Sequence, residues 1–230
     1  MNGILLFDID GTLITRPPHG RSPGLSAMNA AAKRMTGLDG LANQVSFAGA
    51  TDLDVSRQLL ELGGIFAPSA EQKIALLEHY VQYMKAFIQE DAYCPLGQPN
   101  DVIPRLRQAG HVIGLGTGNI KEGAHVKLVS AGIDHLFDMD LGGFGEDAEQ
   151  RADILQIGAD RCRISSGLSS APVIIVGDTE KDVNAAKAIG AHCIGVPFGH
   201  HTAESLSEAG ADFIVEEINN ELITAIERIL

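Results

Sequence analysis

The apolar positions of this chain fall into two kinds of pattern. Three short runs are continuous: Ile4-Leu5-Leu6-Phe7, His111-Val112-Ile113-Gly114-Leu115 and Val173-Ile174-Ile175-Val176. Unbroken runs of this length between turn residues predict buried strands. Elsewhere the spacing is helical. Ser69-x-x-Gln72 is a capping-box pattern, followed by Ile74, Leu77, Val81, Met84 and Ile88 at helical intervals. Val55, Leu59 and Leu62 mark another amphipathic helix, opened by Thr51 and closed by Gly63-Gly64, and Ala27 to Met35 a third. Further on, Val183 to Ile189 predicts a helix, His192 to Val196 a strand and Thr202 to Ala209 a helix. Leu222, Ile226 and Ile229 fit a last amphipathic helix.

From about residue 100 onward helices and strands alternate, the pattern of a parallel sheet covered by helices. The interval from Ile14 to Pro95 is too long for one crossover. It opens on a loop composition, Arg16-Pro17-Pro18-His19-Gly20, and is helical thereafter. The expected organisation is a discontinuous α/β core, residues 1–15 and 95–230, with a small helical insertion at 16–94. No repeat or low-complexity tract is visible.

Each continuous run ends in polar residues. The first leads into Asp8-Ile9-Asp10-Gly11-Thr12-Leu13, the second into Gly116-Thr117-Gly118-Asn119, the third into Gly177-Asp178-Thr179-Glu180-Lys181-Asp182. In open α/β sheets the ligand crevice lies outside the carboxyl ends of the strands. Carboxylates at the edge of a core need a cation or donors to offset their desolvation. A divalent metal and a phosphoryl group would supply both.

A net charge of -13 over 230 residues makes nucleic acid and anionic membranes unfavourable partners. An anionic substrate is still allowed if metal, Arg and backbone N–H groups meet its charge locally. Cys94, Cys162 and Cys193 are odd in number and widely spaced, and read as reduced thiols. No basic leader precedes the short N-terminal apolar run, and no run approaches the ~20 apolar residues of a membrane span. The expected compartment is the cytoplasm. Adjacent His200 and His201 do not share a helix face and do not suggest a transition-metal site.

Asp8-x-Asp10-Gly-Thr-Leu, the run into Thr117, and Gly177-Asp178-x-x-x-Asp182 resemble, in order and spacing, three motifs of the haloacid dehalogenase-like superfamily. Ala185 to Ala191, Ile194 to Gly199 and Ala209 to Asp212 resemble its phosphoglycolate phosphatase-like branch. The resemblance implies a Rossmann-like parallel sheet with a helical cap over the active site. It also implies that Asp10 separates this chain from the dehalogenases of the superfamily, which lack an acid/base there.

Asp8 is the candidate nucleophile, since a carboxylate can attack phosphorus and form an aspartyl-phosphate. Asp10 is the candidate general acid/base; by resemblance its carbonyl also holds the metal. The N–H groups of Gly11 and Thr12, the Thr117 hydroxyl, and the N–H groups of Gly118 and Asn119 are candidate phosphate donors. Asp178 is expected to ligate Mg²⁺ beside Asp8. Asp182 supports the metal by resemblance, directly or through water, or serves only the first turn of a helix. The superfamily's basic third motif is usually Lys. Here Arg151 matches best by order and distance, with Lys121 and Lys127 as rivals. Arg57, Lys33 and Arg34 in the cap could meet a second anionic group of a substrate.

The activity so implied is Mg²⁺-dependent hydrolysis of a small phosphorylated metabolite, phosphoglycolate foremost. A phosphomutase of the β-phosphoglucomutase kind is the near alternative. A phospho-accepting switch protein is the distant one, opposed by the long cap and by Asp10. Monomer and homodimer both remain open.

Overall fold

The computed structural model of the protein describes residues 2–16 and 22–230. Four of the five residues expected to open the insertion as a loop, Pro17 to Gly20, lie outside the described residues. In chain order the elements are β1 (Ile4–Phe7), β2 (Ile14–Thr15), α1 (Pro23–Thr36), α2 (Asp52–Leu62), α3 (Ala70–Phe87), β3 (Cys94–Pro95), α4 (Pro99–Gln108), β4 (Val112–Gly116) and α5 (Lys121–Ser130). They continue with β5 (Gly142–Gly143), α6 (Arg151–Ser166), β6 (Val173–Gly177), α7 (Glu180–Ala188), β7 (His192–Gly195), α8 (Ala203–Ala209), β8 (Phe213–Ile214) and α9 (Asn220–Ile229).

Among the described residues β1, β4, β5, β6, β7 and β8 form one parallel sheet in the order β5-β4-β1-β6-β7-β8. The central strand β1 is buried at all four positions, as expected for a parallel strand covered on both faces. One apolar cluster, including Leu5, Phe7, Ile113 and Val176, lies against one face, and another, including Ile4, Leu6, Leu155 and Ile175, against the other. The register sets Phe7 beside Leu115 of β4 and Val176 of β6. The chain therefore leaves all three strands at one edge, where the strand order reverses about β1.

The inserted helices α1, α2 and α3 bury Ala27, Met28, Ala31, Val55, Leu59, Leu76, Leu77, Tyr80, Val81 and Met84 in a third cluster. The expected caps are present. The Thr51 side chain accepts from the Asp54 N–H, and Ser69 and Gln72 form the reciprocal box. Two of the expected apolar positions face outward: Ile74 is 52% exposed and Leu62 46%, while Leu76 and Tyr80 fill the interior instead. Helix α1 begins earlier than its periodicity indicated, because Ser22 caps it and Pro23 occupies its first turn. The two connections between insert and core pair as a short antiparallel ribbon, Ile14 with Pro95 and Thr15 with Cys94. Two-residue strands carry no readable period, so the sequence did not disclose this ribbon. Cys94, Cys162 and Cys193 are free thiols. No described helix is long and apolar enough to cross a membrane.

Candidate active site

The turn after β1 is made by a glycine. Gly11 has φ +84°, and a Cβ there would collide with the Asp178 carboxylate. Its N–H donates to the Ile14 carbonyl at 2.9 Å, and the Thr12 N–H points to the Ile9 carbonyl at 3.4 Å. The two N–H groups expected to bind phosphate therefore serve the turn that brings Asp8 and Asp10 out of the sheet. Thr12 is fully buried and its hydroxyl has no partner. Gly11, but not Thr12, lines the cavity above the strand ends.

That cavity, of about 400 Å³, is walled by Asp8, Asp10, Thr117, Gly118, Asn119, Arg151 and Asp178 from the core. The insert adds Phe47, Ala50, Asp52, Val55 and Tyr80.

Asp8 is buried, and Arg151 Nη2 donates to its Oδ1 at 2.8 Å. The same nitrogen reaches Asp182 Oδ1 at 2.6 Å and the Gly116 carbonyl at 3.2 Å. Arg151 stands at the start of α6, and Asp182 in the first turn of α7. Of the three basic candidates for the third motif, Arg151 alone touches Asp8. Lys121 pairs with Asp140 at the surface, and Lys127 pairs with Asp10.

Asp182 is fully buried and both its oxygens are engaged. Oδ1 accepts from Arg151, and Oδ2 accepts from the Thr179 N–H at 3.1 Å and hydroxyl at 2.7 Å. This is the capping box of α7, so the helix-start reading of Asp182 holds, and the residue also anchors Arg151.

Asp178 is the contrasting member. It is buried, yet among the described residues its Oδ1 has no hydrogen-bond partner. Asp8, Asp178 and Asp182 each offer an oxygen within 4.8 Å of the others. Of these three buried carboxylates, Asp8 and Asp182 share the Arg151 guanidinium. Burial raises the Asp8 carboxyl to about 6 against the pull of Arg151. Burial, with Asp8 and Asp182 alongside, raises Asp178 to about 9. Burial acts against the Arg151 charge, but Asp182 and Asp8 outweigh it and hold the guanidinium above the ordinary arginine value. A hard divalent cation with oxygen ligands suits this donor set.

Asp10 faces the other way. Its side chain is 44% exposed, and its Oδ2 accepts from Lys127 Nζ at 2.6 Å and Asn119 Nδ2 at 2.8 Å. Lys127 is buried. Burial alone would lower its pKa, but Asp10, Tyr80, Tyr93 and Asp52 carry it well above the ordinary lysine value. Thr117 is fully buried at the cavity wall. Its Oγ1 accepts from the Asn119 N–H at 3.3 Å and Nδ2 at 2.8 Å, which leaves its own proton to donate.

The insert is tied to the loop after β4. The Asp52 N–H donates to the Gly118 carbonyl at 2.8 Å, and the Ile120 N–H donates to Asp52 Oδ2 at 2.9 Å. A Cβ on Gly118 would meet the Ala50 carbonyl, so glycine permits this approach. Burial raises the Asp52 carboxyl to about 6, opposed by Lys127. Lys181 donates to the Ala48 carbonyl at 3.0 Å, a second tie. The cap cations expected near the substrate lie elsewhere. Lys33 pairs with Asp39, Arg57 with Asp54 and Glu61, and neither these nor Arg34 lines the cavity. His201 contacts Glu180.

Sequence reasoning missed the side-chain role of Asn119, and it missed Asp52, Tyr80 and Tyr93. Asn119 was visible only as part of a weak Thr-Gly-Asn turn. Lys127 had one available signal, a cation among the buried positions of a short amphipathic helix.

A profile of haloacid dehalogenase-like hydrolases matches residues 5–196. A phosphoglycolate phosphatase of Aliivibrio fischeri is 24% identical over 222 residues, covering 93% of this chain and 92% of its own length. A phosphoglycolate phosphatase of Yersinia pestis is 27% identical over 218 residues, with 91% and 87% coverage. Among solved structures, CbbY from Rhodobacter sphaeroides in complex with phosphate has a TM-score of 0.71 at 17% identity, covering 96% of each chain. The β-phosphoglucomutase of Clostridium difficile has a TM-score of 0.68 at 18% identity, covering 100% of this chain and 99% of its own. These two likenesses establish the fold. With the family profile running from β1 through β7 and over all three strand-end clusters, the chain belongs to the haloacid dehalogenase-like hydrolases.

Proposed function

We propose that this phosphoric monoester hydrolase cleaves a small phosphomonoester through an aspartyl-phosphate on Asp8, with Mg²⁺ held by Asp8 and Asp178. The observation that carries the proposal is the unequal count of charges around Asp8: three buried carboxylates, one guanidinium, and an Asp178 oxygen with no partner. Bound there, the cation would offset the repulsion between the carboxylate nucleophile and a phosphate dianion.

The remaining steps belong to the chain's own groups. Arg151 fixes the Asp8 carboxylate from one side through Nη2, leaving Nη1 for phosphate oxygens. A bidentate guanidinium is chemically suited to that task. The Thr117 hydroxyl donates to the transferring phosphoryl. Asp8 attacks phosphorus and the ester bond breaks, its electron pair going to the alcohol oxygen, which takes a proton from Asp10. Asp10 then accepts a proton from the water that hydrolyses the acyl-phosphate. Asp182 holds Arg151 through Oδ1 and caps α7 through Oδ2, supporting the metal site beside Asp8 and Asp178. Residues 16–94 act as a cap that bounds the cavity and selects the leaving group.

The curated relatives' named substrate makes 2-phosphoglycolate the first ester to try. The test is Mg²⁺-dependent phosphate release across small phosphomonoesters including 2-phosphoglycolate, with Asp8→Asn as the blank. Turnover above the blank supports a phosphatase. Transfer between hydroxyls that needs a sugar bisphosphate would make it a mutase. An aspartyl-phosphate that persists for minutes would make it a switch.

A further inference from the structure

Lys127 plays no part in the reaction as written above, yet it is a buried cation on the cavity wall. It belongs to a closed triangle. Lys127 Nζ donates to Asp10 Oδ2 at 2.6 Å and to Asn119 Oδ1 at 2.6 Å, and Asn119 Nδ2 donates to the same Asp10 oxygen at 2.8 Å. The second hydrogen of that amide goes to Thr117 Oγ1 at 2.8 Å, and the donor-only ammonium on Oδ1 with the carboxylate on Nδ2 fixes which way the amide faces. The Tyr93 ring lies 5.9 Å from the ammonium. Both donors converge on Oδ2. Among the described residues none donates to Asp10 Oδ1. The half-exposed carboxyl, on a residue that lines the cavity, is therefore gripped by one oxygen and not by the other.

We infer that Lys127 and Asn119 are positioning residues, which hold Asp10 by Oδ2 so that Oδ1 is presented to the leaving-group oxygen. The inference rests on Asp10 being the general acid. When Asp8 displaces the alcohol, the proton that follows the departing electron pair comes from Oδ1, the oxygen the clamp leaves free. Helix α5 begins two residues after Asn119, so one short stretch supplies both parts of the clamp. Because Asn119 also touches Thr117, the clamp sets the acid relative to the phosphoryl-binding hydroxyl. Misplacing a catalytic group by about 1 Å costs on the order of 10²-fold in rate.

The test is leaving-group dependence in single turnovers with enzyme in excess. An alkyl phosphate needs its leaving oxygen protonated; p-nitrophenyl phosphate does not. Asp10→Asn is the reference and should slow the alkyl ester far more than the aryl ester. Lys127→Met should show the same split, with the alkyl rate down about 10²-fold, the aryl rate little changed and KM nearly constant. Asn119→Ala should show the same alkyl-over-aryl split at smaller amplitude, and the double variant should lose less than the product of the two. Equal losses on both esters, or losses in KM alone, would make Lys127 a structural cation and overturn the inference. So would an unchanged alkyl rate in both variants. If Asp10→Asn itself shows no split, the acid assignment fails and the inference falls with it.

Discussion

Asp8 and Asp10 are one residue apart, and their surroundings are opposite. Around Asp8 the structure gathers Asp178 and Asp182 and, among the described residues, answers them with Arg151 alone. Around Asp10 it places one ammonium and one neutral amide, so that carboxylate is matched by a contacting cation. Asp8 is buried; the Asp10 side chain is 44% exposed. Burying ionised groups costs several kcal/mol each unless they are matched. One half of the site is therefore electrostatically complete, and the other is complete only with a further cation. The difference divides the labour: a fixed nucleophile that needs an ion, beside a tethered acid that needs only orientation.

The largest expected effect comes from removing the first half's reacting oxygen. Asp8→Asn should abolish phosphate release, by at least about 10⁴-fold, with the fold retained. Substantial residual turnover would sink the covalent route. Next is the lone cation of that half. Arg151→Ala should lower kcat by about 10²–10³-fold. It should also cost about 3–5 kcal/mol of stability in denaturant melts, because Asp8 and Asp182 lose their shared partner. A near-normal rate would return the third-motif role to another residue.

The smallest effect calibrates the comparison with Asp52, the insert's carboxylate beside Lys127. Asp52 is held at about 6 against an ordinary 3.8. The folded state thus binds that proton more tightly than the unfolded one. The group's stabilisation is fully present below about pH 4 and is lost as pH rises through 6. Asp52→Asn should match the parent below pH 4 and exceed it above pH 6, by up to about 3 kcal/mol. Melting curves across that range check the sign; a variant less stable at pH 7 would mean the Ile120 contact needs the charge.

The division between the halves was only half legible in the sequence. Asp8, Asp10, Asp178 and Arg151 sit just beyond strand ends or at a helix start, where continuous apolar runs stop, and that boundary shows in one dimension. The parallel sheet was readable for the same reason. Lys127 lies in the last turn of α5, and nothing in its spacing says that its ammonium turns back to a residue 117 positions earlier. Gly11 and Thr12 misled because a Gly-Thr turn offers N–H groups in any sequence. Only the structure reveals that Ile14 and Ile9 carbonyls take them. Ile74 and Leu62 fit the helical period yet face outward, since a period fixes a stripe's spacing but not its centre.

The claim that the Asp8 half is completed by a cation is tested most directly by melting chelator-treated protein against rising Mg²⁺, for the parent and for Asp178→Asn. The parent should gain stability with Mg²⁺. The variant should start higher, since it lacks the orphaned carboxylate, and should not respond. A parent indifferent to Mg²⁺, or a variant that responds equally, would contradict the account.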